Sequence, residues 1–91
     1  MNDAKERLTA ARAARTAVEQ LAELTGRRLE SVVGIRSDEG RFTVVVEAVE
    51  DARVPSTADV MAEYEVEVDG DGRLLGYHRR ARYVRGSTDD G

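Results

Sequence analysis

The fold is decided by residues 61–83, which read MAEYEVEVDGDGRLLGYHRRARY. In the first half of this segment apolar and acidic residues alternate, so Tyr64 and Val66 point to one side of a strand and the glutamates between them point to the other. A run of Asp-Gly-Asp-Gly follows, and a second stretch rich in arginine comes after it. The segment predicts a β-hairpin with one face in the core and one face covered with charge.

The register of this hairpin follows from the same alternation. If Asp69 faces Gly72 across a two-residue or four-residue connection, Val66 lies opposite Leu75 and Tyr64 lies opposite Tyr77, so the apolar faces of the two strands coincide. A three-residue loop would turn the apolar residues of the second strand outward, and we do not expect one. The sequence therefore predicts that both tyrosine rings lie beneath the helix.

The other face of the hairpin carries acidic and basic side chains. Glu63 and Glu65 come from the first strand, and His78, Arg80 and Arg82 share one parity in the second. In the predicted register Glu63 lies close to His78 and Arg80, where opposite charges stabilise pairing by about 0.2–1 kcal/mol per pair. We interpret these five residues as candidates for contact with a protein partner.

Length and composition indicate one small domain over residues 1–91. The chain is 41% hydrophobic and 35% charged and has no cysteine, which leaves no disulfide and no thiolate ligand for a metal. No apolar run approaches the ~18 residues that would span a bilayer, and the N-terminus lacks the apolar core of a signal peptide. We expect a soluble, cytoplasmic domain without a membrane segment.

The charges are segregated along the chain. Residues 38–71 contain eleven carboxylates and two arginines, whereas residues 72–86 contain five arginines and no acid. The formal net charge of −4 does not favour general binding of nucleic acid, which needs a positive footprint. The segregation favours protein partners, and it leaves self-association into a homo-oligomer open.

The N-terminal part predicts a helix over residues 1–26. Asp3 and Glu6 form a capping-box pattern that would start this helix near Ala4, and Gly26 would end it in the left-handed conformation. Its apolar stripe is rich in alanine, which favours close packing of the helix on a sheet.

Residues 29–85 predict the sheet, and residues 86–91 a frayed tail. Simple alternation over residues 29–36 places Val32 on the side opposite to Val33 and Ile35. Residues 41–49 have the strongest strand propensity and are expected in the middle of the sheet. The predicted fold class is α+β: an N-terminal helix packed on an antiparallel sheet of about four strands that ends in a β-hairpin.

An irregular stretch over residues 50–59 contains the single proline. Pro55 cannot donate to a strand ladder, so the chain leaves the sheet there. Loops set on a rigid sheet are common recognition elements, and we interpret Arg53, Pro55 and Asp59 as further candidates for partner contact. A structural connection whose charges satisfy each other is an equally good interpretation of the same residues.

Catalytic and metal-binding patterns find little support in the sequence. The row of glutamates on an exposed strand is typical of a solvated surface, because general-acid work requires a desolvated carboxyl group. Asp69 and Asp71 resemble the opening of a calcium loop, but Arg73 stands where a third oxygen ligand is needed. We expect no catalytic residues, no metal and no cofactor.

An alternative function is a small regulatory or nucleic-acid-binding module that uses the arginine-rich C-terminal strand. Aromatic and basic residues are interleaved in residues 77–85, as in strands that bind nucleic acid. This alternative requires Arg80 and Arg82 to be free of acidic partners.

Three segments of the chain resemble the gas vesicle protein O family (GvpO): EAVEDARVP at residues 47–55, DVMAEYEV at residues 59–66 and YHRRARYVR at residues 77–85. The resemblance covers residues 21–85. It implies a non-enzymatic accessory protein of gas vesicles, the air-filled protein shells that give some bacteria and archaea buoyancy. Such proteins are thought to act in assembly by contacting other gas vesicle proteins, both structural and accessory, so the chain is expected at gas vesicles or their assembly intermediates.

No catalytic residue or cofactor comes with this resemblance. Positions shared with the family are candidates both for maintaining the fold and for contacting partners, and they are Arg53, Pro55, Asp59, Tyr64, Glu65, Tyr77, Arg79, Arg82 and Tyr83.

Overall fold

A computed structural model describes residues 9–86 of the chain. Within this range it contains a helix and a four-stranded antiparallel sheet with strand order β1-β2-β3-β4. The predicted α+β fold class is confirmed, and β1 and β4 are the two edge strands. The elements are α1 (Ala10–Thr25), β1 (Arg28–Asp38), β2 (Arg41–Asp51), a short 3-10 helix (Ser56–Ala58), β3 (Val60–Asp69) and β4 (Leu74–Val84).

Capping residues define both ends of α1. Thr9 is the N-cap, and its side-chain oxygen accepts a hydrogen bond from the backbone N–H of Arg12 at 3.2 Å. Thr9 has an extended backbone, so the helix of the described residues begins at Ala10; the predicted start near Ala4 lies outside them. Gly26 ends the helix at φ 69°, as predicted, and donates to the carbonyl of Ala22 at 2.8 Å.

The core lies between α1 and the two central strands. Ala17 and Leu21 of the helix pack on the even-numbered residues of the sheet, and all of these are buried. The predicted alternation in β2 and β3 is confirmed, because the two strands pair without a shift from Arg41 to Val49. The sheet residues in this cluster are Val44, Val46, Ala48, Ala62, Tyr64, Val66 and Val68.

The face of the sheet away from the helix also buries apolar side chains. Val45 is 8% exposed and Met61 is 1% exposed, although α1 packs on the opposite side of the sheet. In register, Glu65 lies beside Val45 and Tyr83 lies beside Met61. Neighbouring side chains of this length can cover an apolar strand while their polar ends stay in water. We call this surface the outer face.

The predicted register of the hairpin is wrong. Val66 lies opposite Tyr77, not Leu75, and Tyr64 lies opposite Arg79. The turn accounts for part of the shift, because the N–H of Asp69 donates to the carbonyl of Arg73 at 2.9 Å and leaves three residues between them. The expectation that the loop would not have three residues is therefore wrong.

Two bulges in β4 account for the rest of the shift. Leu75 and Arg80 are extra residues with no backbone pairing partner in β3, and each one moves the following residues to the other side of the strand. Leu74 therefore packs against the core in place of Leu75, which is 48% exposed. The rings of Tyr64 and Tyr77 still meet edge to face, with 6.1 Å between their centroids, although Tyr77 is 40% exposed.

Bulges also break the alternation predicted for β1. Register shifts at Glu30 and Val33 place Val32 opposite Val46 and Ile35 opposite Val44. Val32 and Ile35 therefore lie on the same side of the sheet, the side of the helix, and their predicted separation is wrong.

None of the helices in residues 9–86 is long and apolar enough to cross a bilayer.

The left-handed conformation of Gly26 gives a test of how the helix ends. Neither Gly26 nor Gly76 has a heavy atom within 4 Å of an added Cβ, but only Gly26 has a positive φ. Gly26→Ala should lower the free energy of unfolding by about 1 kcal/mol because an alanine Cβ is strained at this φ. Gly76→Ala, the matched control, should be neutral or slightly stabilising, as measured by urea denaturation. Equal effects of the two substitutions would contradict this explanation.

Candidate protein-contact site

One buried carboxylate, that of Asp59, holds the loop between β2 and β3. Asp59 is 1% exposed, and its Oδ1 accepts a hydrogen bond from the backbone N–H of Arg53 at 2.7 Å. The 3-10 helix Ser56–Ala58 fills the space between these residues, and the Val54–Pro55 peptide bond is cis. The two ends of the loop are therefore tied together at Asp59.

Arg85 joins this carboxylate to the first strand. Its guanidinium donates to Oδ2 of Asp59 from Nη2 at 2.9 Å and from Nε at 3.2 Å. It also donates to both carboxylate oxygens of Glu30, at 2.8 and 2.9 Å, in the bidentate geometry that arginine favours. The N–H of Arg85 donates to the carbonyl of Asp59 at 2.8 Å. We call Glu30, Asp59 and Arg85 the anchor.

The contacts of the anchor favour its ionised state. The N–H of Arg53, followed by the Arg85 guanidinium, lowers the pKa of Asp59 below its ordinary value. Hydrogen bonding from Arg85 likewise lowers the pKa of Glu30. Glu30 and then Asp59 raise the pKa of Arg85, which stays charged throughout the accessible pH range. The anchor thus brings together the start of β1, the start of β3 and the end of β4.

The tip of the loop projects from this anchor into solvent. Val54 is 98% exposed, and Pro55 beside it is exposed as well. The guanidinium of Arg53 bonds to the Asp51 carboxylate at 2.7 Å, with about half of each side chain still exposed. The loop tip, residues 53–55, therefore presents an apolar side chain and an ion pair at a fixed position. Asp59 lies beneath the surface and is an anchoring residue.

The acidic and basic residues of the outer face pair with one another. Nη1 of Arg80 lies 3.1 Å from Glu65, and its Nε lies 3.4 Å from Glu63. The predicted proximity of Glu63 to Arg80 is confirmed. His78 lies 3.5 Å from Glu65, not from Glu63, because of the altered register.

Arg82 does not belong to the same surface as Arg80. It lies opposite Ala62, which is buried beneath α1, so the bulge at Arg80 moves it to the helix side of the sheet. There Arg82 and Arg79 both approach Glu50, at 3.5 and 2.8 Å. The single row of basic residues predicted from the sequence is wrong, since the structure divides it between two faces.

These ion pairs also bear on the alternative function. A nucleic-acid-binding strand requires Arg80 and Arg82 without acidic partners, and both have glutamate partners within 3.5 Å. The condition that this alternative requires is therefore not met. Phosphate contacts from these arginines would have to displace the glutamates.

Several contacts of the site were not predicted from the sequence. Tyr83 has the same parity in the sequence as Tyr77, which was predicted beneath the helix, but its hydroxyl donates to Glu47 on the outer face. Glu30 and Arg85 are 55 residues apart in the chain, and no local pattern connects them. Val54 gave no signal either, because a valine in a loop does not by itself indicate exposure.

The outer face contains an open groove of about 570 Å³. Gly34 and Val45 lie on its apolar side, and the paired Glu63 and Arg80 lie on its charged side. The groove is on the sheet surface and not between the helix and the sheet. Among residues 9–86 no group of three or more histidine, aspartate and glutamate side chains is placed to hold a metal ion.

The fold and the site define a small α+β domain that combines an ionic anchor built on one buried carboxylate, an exposed loop tip and a charged sheet face. Within that class, the chain belongs to the family described as gas vesicle synthesis protein GvpO, whose family model matches residues 1–89. The family resemblance found in the sequence is confirmed.

Curated relatives bear names consistent with this family. Over 78 residues the chain is 50% identical to "Gas vesicle protein O" of Streptomyces sp. (strain CB03234), covering 86% of this chain and 61% of the relative. Over 77 residues it is 35% identical to "Gas vesicle protein O1" of Halobacterium salinarum, covering 85% and 62%. It is also 36% identical over 78 residues to "Gas vesicle protein O" of Haloferax mediterranei, covering 85% and 54%.

The chain thus spans between 54% and 62% of the length of these relatives. No solved structure matches it.

The anchor predicts how stability depends on pH. The pKa of Asp59 is lower in the folded state than in the unfolded state, so its contribution is present above the ordinary carboxyl pKa of about 4 and is lost as the pH falls through the folded value. Asp59→Asn should therefore lower the melting temperature at about pH 7 and should flatten the loss of stability on acidification. Thermal unfolding followed by circular dichroism at a series of pH values measures both effects.

The matched control is Asp51→Asn. Asp51 also bonds to an arginine, but 49% of its side chain is exposed and its pair is at the surface. Exposed pairs contribute about 0–1 kcal/mol, so this variant should keep both the melting temperature and the acid response of the unmodified chain. If both variants behaved alike, Asp59 would not be an anchor.

Proposed function

We propose that the chain is a non-catalytic accessory protein of gas vesicle formation that acts by contacting other gas vesicle proteins. Membership of the gas vesicle synthesis protein GvpO family supports the cellular process. The names of the relatives from Streptomyces sp. and Halobacterium salinarum support the same process. Partners in this proposal are structural or accessory gas vesicle proteins, met at the vesicles or at their assembly intermediates.

The observation that carries the contact mechanism is the exposure of Val54 on a fixed loop. A valine that is 98% exposed gains from burial, and a partner that covers it gains up to about 1.5–3 kcal/mol for the whole side chain. The anchor holds the loop in place before binding, so little conformational entropy is lost on association. Arg53 and Pro55 flank the valine and would form the edge of the contact.

The ion pairs of the outer face suit a second part of the contact. Glu63, Glu65, His78 and Arg80 already have partners in the chain, and exposed pairs of this kind contribute only about 0.2–1 kcal/mol each. A charged group of the partner can therefore replace one side chain of such a pair at a low cost in free energy. Such a surface affects encounter rate and choice of partner more than affinity.

Substitution of Val54 tests the loop contact. Val54→Asp should reduce capture of the partner by at least about tenfold, since it places a charge where the proposal expects a buried apolar side chain. The measurement is a pulldown with the tagged chain against each of the other proteins of its gene cluster, followed by a titration of the protein captured.

The control for this experiment is Leu75→Asp. Leu75 is also an exposed apolar residue, at 48%, but it lies near the turn between β3 and β4, at the other end of the sheet from the loop. It should bind as the unmodified chain does. Equal capture by the Val54 and Leu75 variants would remove the loop tip from the interface.

Charge reversal separates the outer face from the helix side. Arg80→Glu should slow association with the captured partner and weaken its salt dependence, whereas Arg82→Glu, on the other side of the sheet, should change the association rate less. Association rates at low and high salt measure the difference. A larger loss with Arg82→Glu would place the charged contact on the helix side.

A further inference from the structure

The two edges of the sheet differ in chemistry. β4 carries His78, Arg79, Arg80 and Arg82 along its length, and charged side chains of this kind keep an edge strand from pairing with another chain. In β1, by contrast, residues 31–35 contain no charged side chain. β1 is therefore the less protected edge of the sheet.

Apolar side chains of β1 remain in solvent next to the core. Val32 and Ile35 are each 40% exposed, although they lie opposite the buried residues Val46 and Val44 on the helix side of the sheet. A strand added at this edge would cover both side chains and would continue the apolar layer beneath the helix.

We propose that β1 pairs with β1 of a second copy of this chain, antiparallel and about a twofold axis at Gly34. Glu30 and Val33 are the extra residues of the two bulges and have no pairing partner in β2. They are therefore skipped when the residue pairs between the two copies are counted. With Gly34 facing Gly34, Val32 of one copy faces Ile35 of the other on the helix side. Glycine at the axis leaves the two backbones free to approach closely.

The charges at the ends of β1 select this register and favour a second copy as the occupant. Pairing about Gly34 places Arg28 of each copy opposite Asp38 of the other, and both residues lie on the outer face. The Arg28 side chain is 66% exposed, and its distance of 4.0 Å from the Glu30 carboxylate is longer than a hydrogen bond. Asp38 has no ion pair within residues 9–86. An axis moved by one pair, to Val32, would instead set Arg28 against Arg36, a repulsive arrangement.

The strand is thus complementary to itself, with a basic end, an apolar middle and an acidic end. This inference does not depend on the proposed function, because it concerns only contacts between copies of the same chain. It predicts one sheet that continues through both copies with both helices on the same side.

A charge swap tests the register. Arg28→Asp alone or Asp38→Arg alone places like charges opposite each other at both ends of the interface, and each should weaken the dimer about tenfold. The double variant Arg28→Asp/Asp38→Arg should restore it. Within one copy the two residues stand at opposite ends of an 11-residue strand, about 30 Å apart, so rescue requires contact between copies.

Sedimentation equilibrium of the purified chain over a range of concentrations measures the dimer, with circular dichroism as the check that each variant folds. Arg15→Asp, on the exposed surface of α1, makes the same charge change away from β1 and should leave the dimer unchanged. A chain that stays monomeric at millimolar concentration would overturn the proposal. A dimer that ignores the single substitutions, or that the double variant does not restore, would also overturn it.

Discussion

The structure depends on a carboxylate that is removed from water. A buried charge is costly unless it is paired and hydrogen-bonded, and Asp59 meets both conditions through the N–H of Arg53 and the guanidinium of Arg85. Since Arg85 also holds Glu30, the two edge strands of a four-stranded sheet are joined at one end without being neighbours. The same contacts close the loop from residue 52 to residue 59 and hold Val54 in solvent. Removal of Arg85 would leave the buried carboxylate of Asp59 without its cationic partner.

The bulges are the second feature that shapes the surface. Without the bulge at Arg80, Arg82 would stand on the outer face beside it and Tyr83 would face the helix. With the bulge, the tyrosine hydroxyl reaches Glu47 and the arginine joins Arg79 at Glu50. The charged surface is therefore two small, internally paired clusters on opposite sides of the sheet, and this arrangement limits how much free charge either side offers to a partner.

The sequence alone predicted the parts of the fold that depend on local periodicity. Val44, Val46, Tyr64 and Val66 alternate without interruption, and their burial followed directly from that alternation. β1 and β4 were harder, because a bulge is set by the fit to the neighbouring strand and changes the side of every residue beyond it. The anchor joins residues 55 positions apart, which no local pattern encodes. For the site, proline and charge pointed to the loop, and the family came from resemblance rather than from chemistry.

The most direct measurement of the central claim is the pKa of the Asp59 carboxyl group in the folded chain, obtained from its carbon-13 chemical shift during an NMR titration. Hydrogen bonds from Arg53 and Arg85 stabilise the ionised form, so the pKa should lie clearly below that of an ordinary aspartate. A pKa at or above the ordinary value would mean that burial outweighs these contacts. The anchor would then not hold the loop in the way described.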